Sequence, residues 1–324
     1  MKTNSDIEQI LNEDKDKFEF DNLPSELQLK IAQTLSNPDL LNFAMVSQGH
    51  WSFFKEEEVD VRKLLHHVVR GEHDLVQSML RNNIDLIFKR GKVTDCSGRT
   101  FDNISAFEYA LWALDKHMWD AMLACIPENE DRRPILAKLH SRYDQVNIKG
   151  VTYRLNGNTI TEQHFDFANT IIKELRHHTK ISRAASWFCY QDLAALQKHW
   201  VEGVGGTQKL LPMHVVHEYC SPEPFYPVPN FTSKPQSFKQ FWKADNTQNW
   251  FGPSSELALE LAILKGTFGR AYAMLPPLTL AFIIKEDIDA LEKLCEVRTI
   301  DFIRLESQLE EQLTTDKTPG LNIG

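Results

Sequence analysis

The chain has little of what several protein classes require. Its five cysteines, Cys96, Cys125, Cys189, Cys220 and Cys295, are odd in number, widely scattered and never paired as CxxC, which argues against a disulfide framework and for a reducing compartment. No apolar run approaches the roughly eighteen residues of a transmembrane helix. The first twenty residues are polar and acidic, without the basic start and apolar middle of a secretory signal. Positive charge is also short: 36 Lys and Arg face 45 Asp and Glu, a net charge of −9. That balance offers no electrostatic footprint for nucleic acid or an acidic membrane surface. Gly203, Gly205 and Gly206 lack the GxxxxGK[ST] or GxGxxG context of a phosphate cradle. These absences lead us to expect a cytoplasmic protein with no membrane span and no nucleic-acid partner.

What is present is globular. The 324 residues are 42% hydrophobic and include seven tryptophans, enough for a sizeable core in one large domain or two. The negative charge is uneven: residues 1–62 carry thirteen acidic and six basic side chains. Residues 1–20 are expected to be a disordered acidic segment.

Residues 21–54 carry a compact helical pattern. Asp21 or Asn22 can cap a helix whose first turn tolerates Pro24 and favours Glu26. Leu27, Ile31 and Leu35 recur every fourth residue and make one apolar stripe. Ser36 to Asp39 stop and restart the chain, with Asn37 a candidate cap and Pro38 at the first helical position. A second helix then holds Leu40, Leu41, Phe43 and Ala44, and a third element brings Val46 and Trp51. Three helices in about thirty residues cannot bury that much apolar surface alone. Part of it should face a partner.

The blocks Leu23-Pro24-x-Glu26-Leu27, Ile31, Leu35, then Asp39-Leu40-Leu41, then Val46-Ser47 and Trp51 resemble the F-box family. The resemblance implies that residues 21–60 form a three-helix module docking on Skp1 through Leu23, Pro24, Glu26, Leu27, Ile31, Leu35, Leu40, Leu41, Val46 and Trp51. It departs from the family at Gln48-Gly49-His50, where Gly49 weakens the third helix.

Beyond the acidic connector Lys55 to Asp60, residues 63–88 read as two helices around a turn at Arg70-Gly71-Glu72. A second copy follows about 43 residues later, with Trp119, Met122 and Leu123 in the places of Val76, Met79 and Leu80. A third is expected at 278–296, where Ile283, Ile284, Leu291 and Leu294 take equivalent positions. These copies resemble degenerate ankyrin repeats, helix pairs that must stack to bury their apolar faces. Between them, Asn156-Gly157 separates two β-prone arms and signals a hairpin. Two helices are expected around 163–177 and 183–201. Residues 221–235 hold five of the fourteen prolines and should cross over in extended form, pinned by Phe225, Tyr226 and Phe231. A helix is expected through Leu257, Leu259, Leu261 and Ile263. The expected class is therefore mainly all-α: the F-box-like module, a helical ankyrin-like substrate-binding domain over 61–314 with a small hairpin insertion, and a flexible tail at 315–324.

Chemistry is sparse. His214, His217 and Cys220 share helical spacing, but a zinc site normally needs a fourth ligand; no metal and no cofactor are expected. An enzyme site around Cys189, His214, His217 and Cys220 is one alternative, and an ankyrin-like interaction module without a ubiquitin role is another. The preferred reading is a non-catalytic adaptor that links an unidentified target protein, through Skp1, to a cullin-type ubiquitin ligase. Arg99, Phe101, Tyr153, Phe225, Tyr226 and Trp242 are candidate target anchors, because Arg and aromatic side chains dominate interfaces. The combination also resembles effectors that intracellular bacteria deliver into the host cytoplasm by type IV secretion, with Glu306, Glu310, Glu311, Leu321 and Ile323 loosely matching a C-terminal translocation signal.

Overall fold

The computed structural model describes residues 20–186, 189–244, 246–274 and 281–315. Apart from Phe20 and Thr315, the expected acidic segment and tail lie outside them. The chain divides after Val61 into two compact units. The expected mainly all-α class is overturned: two four-stranded sheets make the protein mixed α/β.

In the first unit, a single turn at Phe20–Asn22 precedes α1 (Ser25–Thr34), α2 (Asn37–Ala44) and α3 (Gln48–Phe54). Pro24, not Asp21 or Asn22, stands at the cap of α1. Ser36 rather than Asn37 caps α2, its Oγ accepting from the Asp39 N–H at 3.3 Å. Ser47 does the same for α3, accepting from His50 at 3.0 Å, and this compensates Gly49. Ala32, Leu40, Ala44 and Phe54 form the small core, with Phe20, Leu29, Leu35 and Phe43 packed on it.

The second unit begins within α4 (Asp60–Val68) and continues with α5 (His73–Asn82). The turn between them needs Gly71, whose φ is +66° and whose place would set a Cβ 2.7 Å from the His217 ring. Strands β1 (Arg90–Thr94) and β2 (Thr100–Ser105) follow, then α6 (Ala106–Trp112), α7 (Lys116–Leu123) and α8 (Arg132–Lys149). Of the expected packing of the two helix pairs, α5 does meet α7, with Leu80, Trp119 and Met122 buried but Met79 and Leu123 only half-buried. The segment between the pairs, however, forms a β-hairpin, which the sequence reading missed. The Asn156-Gly157 hairpin forms as β3 (Val151–Leu155) and β4 (Asn158–Glu162). It joins the first hairpin in one antiparallel sheet of order β1-β2-β3-β4.

Helix α9 (Lys173–Ala184) begins after a π-helical stretch at Ala168–Ile172, and α10 (Tyr190–Lys198) runs into another at His199–Gly205. Both start later than expected. Helix α11 (Met213–Cys220) is buried along its whole length. The second sheet, of order β6-β5-β8-β7, comprises β5 (Gln240–Lys243), β6 (Asn246–Asn249), β7 (Ala262–Leu264) and β8 (Tyr272–Met274). The helix expected through Leu257 to Ile263 does not form. Ala262, Ile263 and Leu264 pair with β8, and Leu259 is exposed while Leu257, Leu261 and Ile263 are buried. The third expected helix pair is also corrected: α12 is one uninterrupted helix, Ala281–Thr315. It packs along α8 and α9, with Phe302 stacked on Tyr143 at 4.5 Å.

Candidate functional site

The clearest unpartnered surface lies on the first unit. Leu27 and Ile31, one turn apart on α1, are 44% and 37% exposed; Leu41, Met45, Val46 and Trp51 are exposed as well. Such long apolar side chains are normally turned inward, and a cluster of them on a monomer marks an interaction surface. The cause is local. Helices of ten, eight and seven residues enclose only one small core, so other apolar side chains are left outside. Met45, Ser47, Gln48, Trp51 and Ser52 line a shallow depression of about 600 Å³. Leu23 is half-buried and Pro24 and Glu26 exposed; the Gln28 side chain donates to the Leu23 carbonyl at 2.9 Å and holds that turn. Leu35 is half-buried. Leu40 faces inward, 2% exposed, and is corrected from a docking residue to a core residue.

Four of the six expected target anchors are interior. Arg99 is 2% exposed. Its guanidinium lies 5.3–5.4 Å from the rings of Trp112, Tyr153 and Phe165 and donates to the Leu210 carbonyl at 2.7 Å. Phe101 and Tyr153 belong to the same aromatic group, and Phe225 packs on Tyr219. Their area is spent sealing the body. Tyr226 is exposed. Trp242 is half-buried, with the Arg270 guanidinium 3.9 Å above its ring.

His214, His217 and Cys220 line a buried helix. His214 Nε2 hydrogen-bonds the Ala113 carbonyl at 2.7 Å, and burial holds its pKa well below the ordinary value. Burial also lowers His217 to about 3 and pushes the Cys220 thiol up to about 12. A thiol held neutral by burial is a poor nucleophile. Among the described residues, His140, Asp144 and Glu306 have donor atoms within 4.8 Å of one another; all three are half-buried, and none had been singled out as a ligand in the sequence.

The sequence reading also missed a buried polar hub. Lys265, 0% exposed, donates through Nζ to the Ser221 carbonyl at 3.0 Å, to Ser221 Oγ at 2.8 Å and to the Glu218 carbonyl, neutralising the C-terminal end of α11. The Asp287 carboxylate accepts from the backbone N–H groups of Lys265 and Gly266. Burial lowers Lys265 to about 8 and raises Asp287 and Glu218 to about 7. Arg298 reaches the Phe231 carbonyl at 3.0 Å, Asp301 at 3.2 Å and Glu218 at 3.4 Å. The hub thereby anchors the proline-rich crossover, beside a cavity of about 590 Å³ lined largely by residues 221–236. Single charges set among apolar residues, as in Ala262-Ile-Leu-Lys265, were the available signal.

Residues 170–309 match the family model of the CBUA0006 C-terminal domain. An uncharacterized protein of Coxiella burnetii, CBUA0006, is 32% identical over 273 residues, covering 75% of this chain and 73% of that protein. The chain belongs to the CBUA0006 family. No solved structure matches it. Among the described residues, no helix is long and apolar enough to cross a membrane.

Proposed function

We propose that residues 21–54 dock on a Skp1-type partner and that the chain is the target-binding adaptor of a cullin-type ubiquitin ligase. The observation that carries this reading is the exposure of Leu27, Ile31, Leu41, Met45, Val46 and Trp51 on and between three short helices. Leu27, Ile31, Leu41, Val46 and Trp51 of this set also carry the F-box resemblance; Met45 does not, Leu23 and Leu35 are half-buried, and Leu40 is buried. A surface of this kind gains most by covering apolar area with a complementary helical partner. In this reading the second unit holds the target, and the chain performs no chemistry itself. A further part of the proposal is that the chain is an effector that borrows the ligase of a host cell and acts in its cytoplasm.

The test is co-precipitation of purified Skp1 with the full chain. Replacing Leu23 and Pro24 together by Ala, or exposed Val46 by Arg, is expected to weaken capture by about tenfold or more while leaving the helical circular-dichroism signal unchanged. Absence of capture by the unaltered chain, or equal capture by both variants, would remove the adaptor reading.

A further inference from the structure

The first sheet comes apart in its middle. Strands β3 and β4 pair at five successive positions, but the ladder between β2 and β3 has the single pair Thr100 and Arg154. A cleft of about 660 Å³ is lined by Asp102, Asn103 and Ile104 of β2, by Val151 to Arg154 of β3 and by Thr159 of β4. That volume falls within the range of about 300–1,000 Å³ usual for ligand sites. Asp102, Asn103 and Thr152 are exposed, and over this stretch β2 and β3 form no ladder with each other. Unladdered strand edges facing each other are a template for an added strand.

The charge of the cleft opposes that of the chain. Arg90, Arg142, Lys149 and Arg154 line it against only two carboxylates, Asp102 and Glu108, in a protein of net charge −9. Glu108 is committed to the fold. It is 4% exposed, completes the capping box of α6 with Ser105, and is gripped by Arg90, whose Nε donates at 3.0 Å. Arg142 stands 3.7 Å from that same carboxylate; its firmer bond, at 2.8 Å, goes to the neutral Gln145 side chain. Lys149 pairs with no carboxylate among the described residues. Arg154 is held by Asp102 at 2.7 Å, with both side chains about half exposed, a contact that water and an incoming carboxylate can both displace. The cleft thus holds more cationic donors than the chain's own carboxylates satisfy.

We infer that this cleft binds an extended acidic peptide segment of a partner protein, which enters between β2 and β3 as an added strand. Main-chain hydrogen bonds to the two strand edges supply the common part of the affinity, as in other strand-addition complexes. Arg142, Lys149 and Arg154 supply the selectivity. Side chains of an extended peptide return to the same face every second residue, about 7 Å apart, so acidic residues at alternating positions meet these cations in turn. Arginine adds forked, charge-assisted contacts to carboxylates. The groove lies within residues 90–159, and its binding does not depend on the docking face of residues 21–54.

The experiment is fluorescence anisotropy of a labelled octapeptide of alternating Glu and Thr, titrated with the full chain, beside the same peptide built with Lys for Glu. The acidic peptide is expected to bind saturably and the basic one not. Lys149→Ala, at an exposed helix end, and Arg142→Ala should each weaken binding about threefold or more, whereas Asp102→Asn should tighten it by removing a competing carboxylate. N-methylation of alternate peptide backbone amides should abolish it. The Leu23, Pro24 double variant should bind as the unaltered chain does, so that loss of Skp1 capture and loss of peptide binding remain separate results. The inference is overturned by no saturable binding of the acidic peptide, by binding indifferent to Lys149→Ala and Arg142→Ala, or by equal binding of the N-methylated peptide. Competition by free glutamate or inorganic phosphate at the peptide's own concentration also overturns it, since the site would then take small anions and not a strand.

Discussion

Arg298 has no exposed surface, and its guanidinium is shared by Glu218, Asp301, the His117 ring and the Phe231 carbonyl. Removing it strands buried acceptors rather than merely deleting one contact. Arg298→Ala is therefore expected to lower unfolding free energy by about 3–5 kcal/mol, measured by urea denaturation; a loss below about 1 kcal/mol would show that the hub rearranges freely. Arg99 teaches a related lesson. An arginine beside aromatics in a sequence has the composition of an interface, and here the same side chains face one another inside. Composition cannot separate these cases, because cation–π and stacking contacts work equally well in a core and at a surface. On the first unit the legible feature was different. Leu27 and Ile31 repeat every fourth residue, and the helices are too few to cover them, so exposure follows from counting. Leu40, in the same sequence block, turned inward because the small core required it.

The contact of α5 with α7 was readable from two similar apolar patterns 43 residues apart, since repeated spacing reports a repeated face. Leu80 is completely buried there. Leu80→Ala should cost about 2–5 kcal/mol, read from the midpoint of chemical denaturation at unchanged slope. A negligible cost would mean that neighbouring side chains collapse into the space. The hairpin at Asn156-Gly157 was equally readable, because its turn needs φ above zero at both central residues and has +50° and +80°. The first hairpin was hidden: Asp95 to Gly98 close it through the Asp95 carboxylate, which accepts from Ser97 and Arg99, with no Asn-Gly or Asp-Gly pair to announce it. Helix α12 reversed the expectation of a third pair. Its Lys285-Glu286-Asp287 has the polarity of a turn, yet Asp287 is buried because the backbone of Lys265 and Gly266 supplies its partners from elsewhere in the fold.

Burial of titratable groups gives the molecule a defined response to acid. His178, fully buried beside Trp200, is lowered to about 4 by burial and then by its neighbours His199 and His177; burial also lowers His117 and His217 to about 3. Below pH 6.5 the unfolded chain takes up protons that these native rings refuse. Their contribution is thus complete above pH 6.5 and lost as pH falls towards 4 and then 3. Glu218 and Asp287, raised to about 7, act in the opposite direction: their contribution is complete near pH 4 and lost as pH rises to 7. The two trends offset each other between pH 4 and 6.5, so the effect is best read from one residue. His178→Gln should remove about 3 kcal/mol of the acid-dependent loss, seen as a smaller difference in Tm between pH 7 and pH 4 than in the unaltered chain. Parallel curves for the two proteins would show that His178 is protonated in the folded state.

Spacing and turn chemistry alone were sufficient for the three short helices of the first unit, the two helix pairs α4–α5 and α6–α7, the hairpin at Asn156-Gly157 and the extended course of the proline-rich crossover. These features depend on contacts between residues close in sequence, or on a periodicity that any partner surface would have to respect. Long-range placement lay beyond the sequence. The pairing of β7 with β8, the single span of α12, the inward turn of Arg99 and Leu40, and the parting of β2 from β3 each depend on which distant segment arrives alongside. An apolar run such as Leu257 to Leu264 satisfies a helix and a strand nearly equally, and the neighbouring backbone that offers hydrogen bonds settles the matter. A charged side chain enters the core only when several acceptors from remote segments are assembled around it, as they are around Lys265 and Arg298.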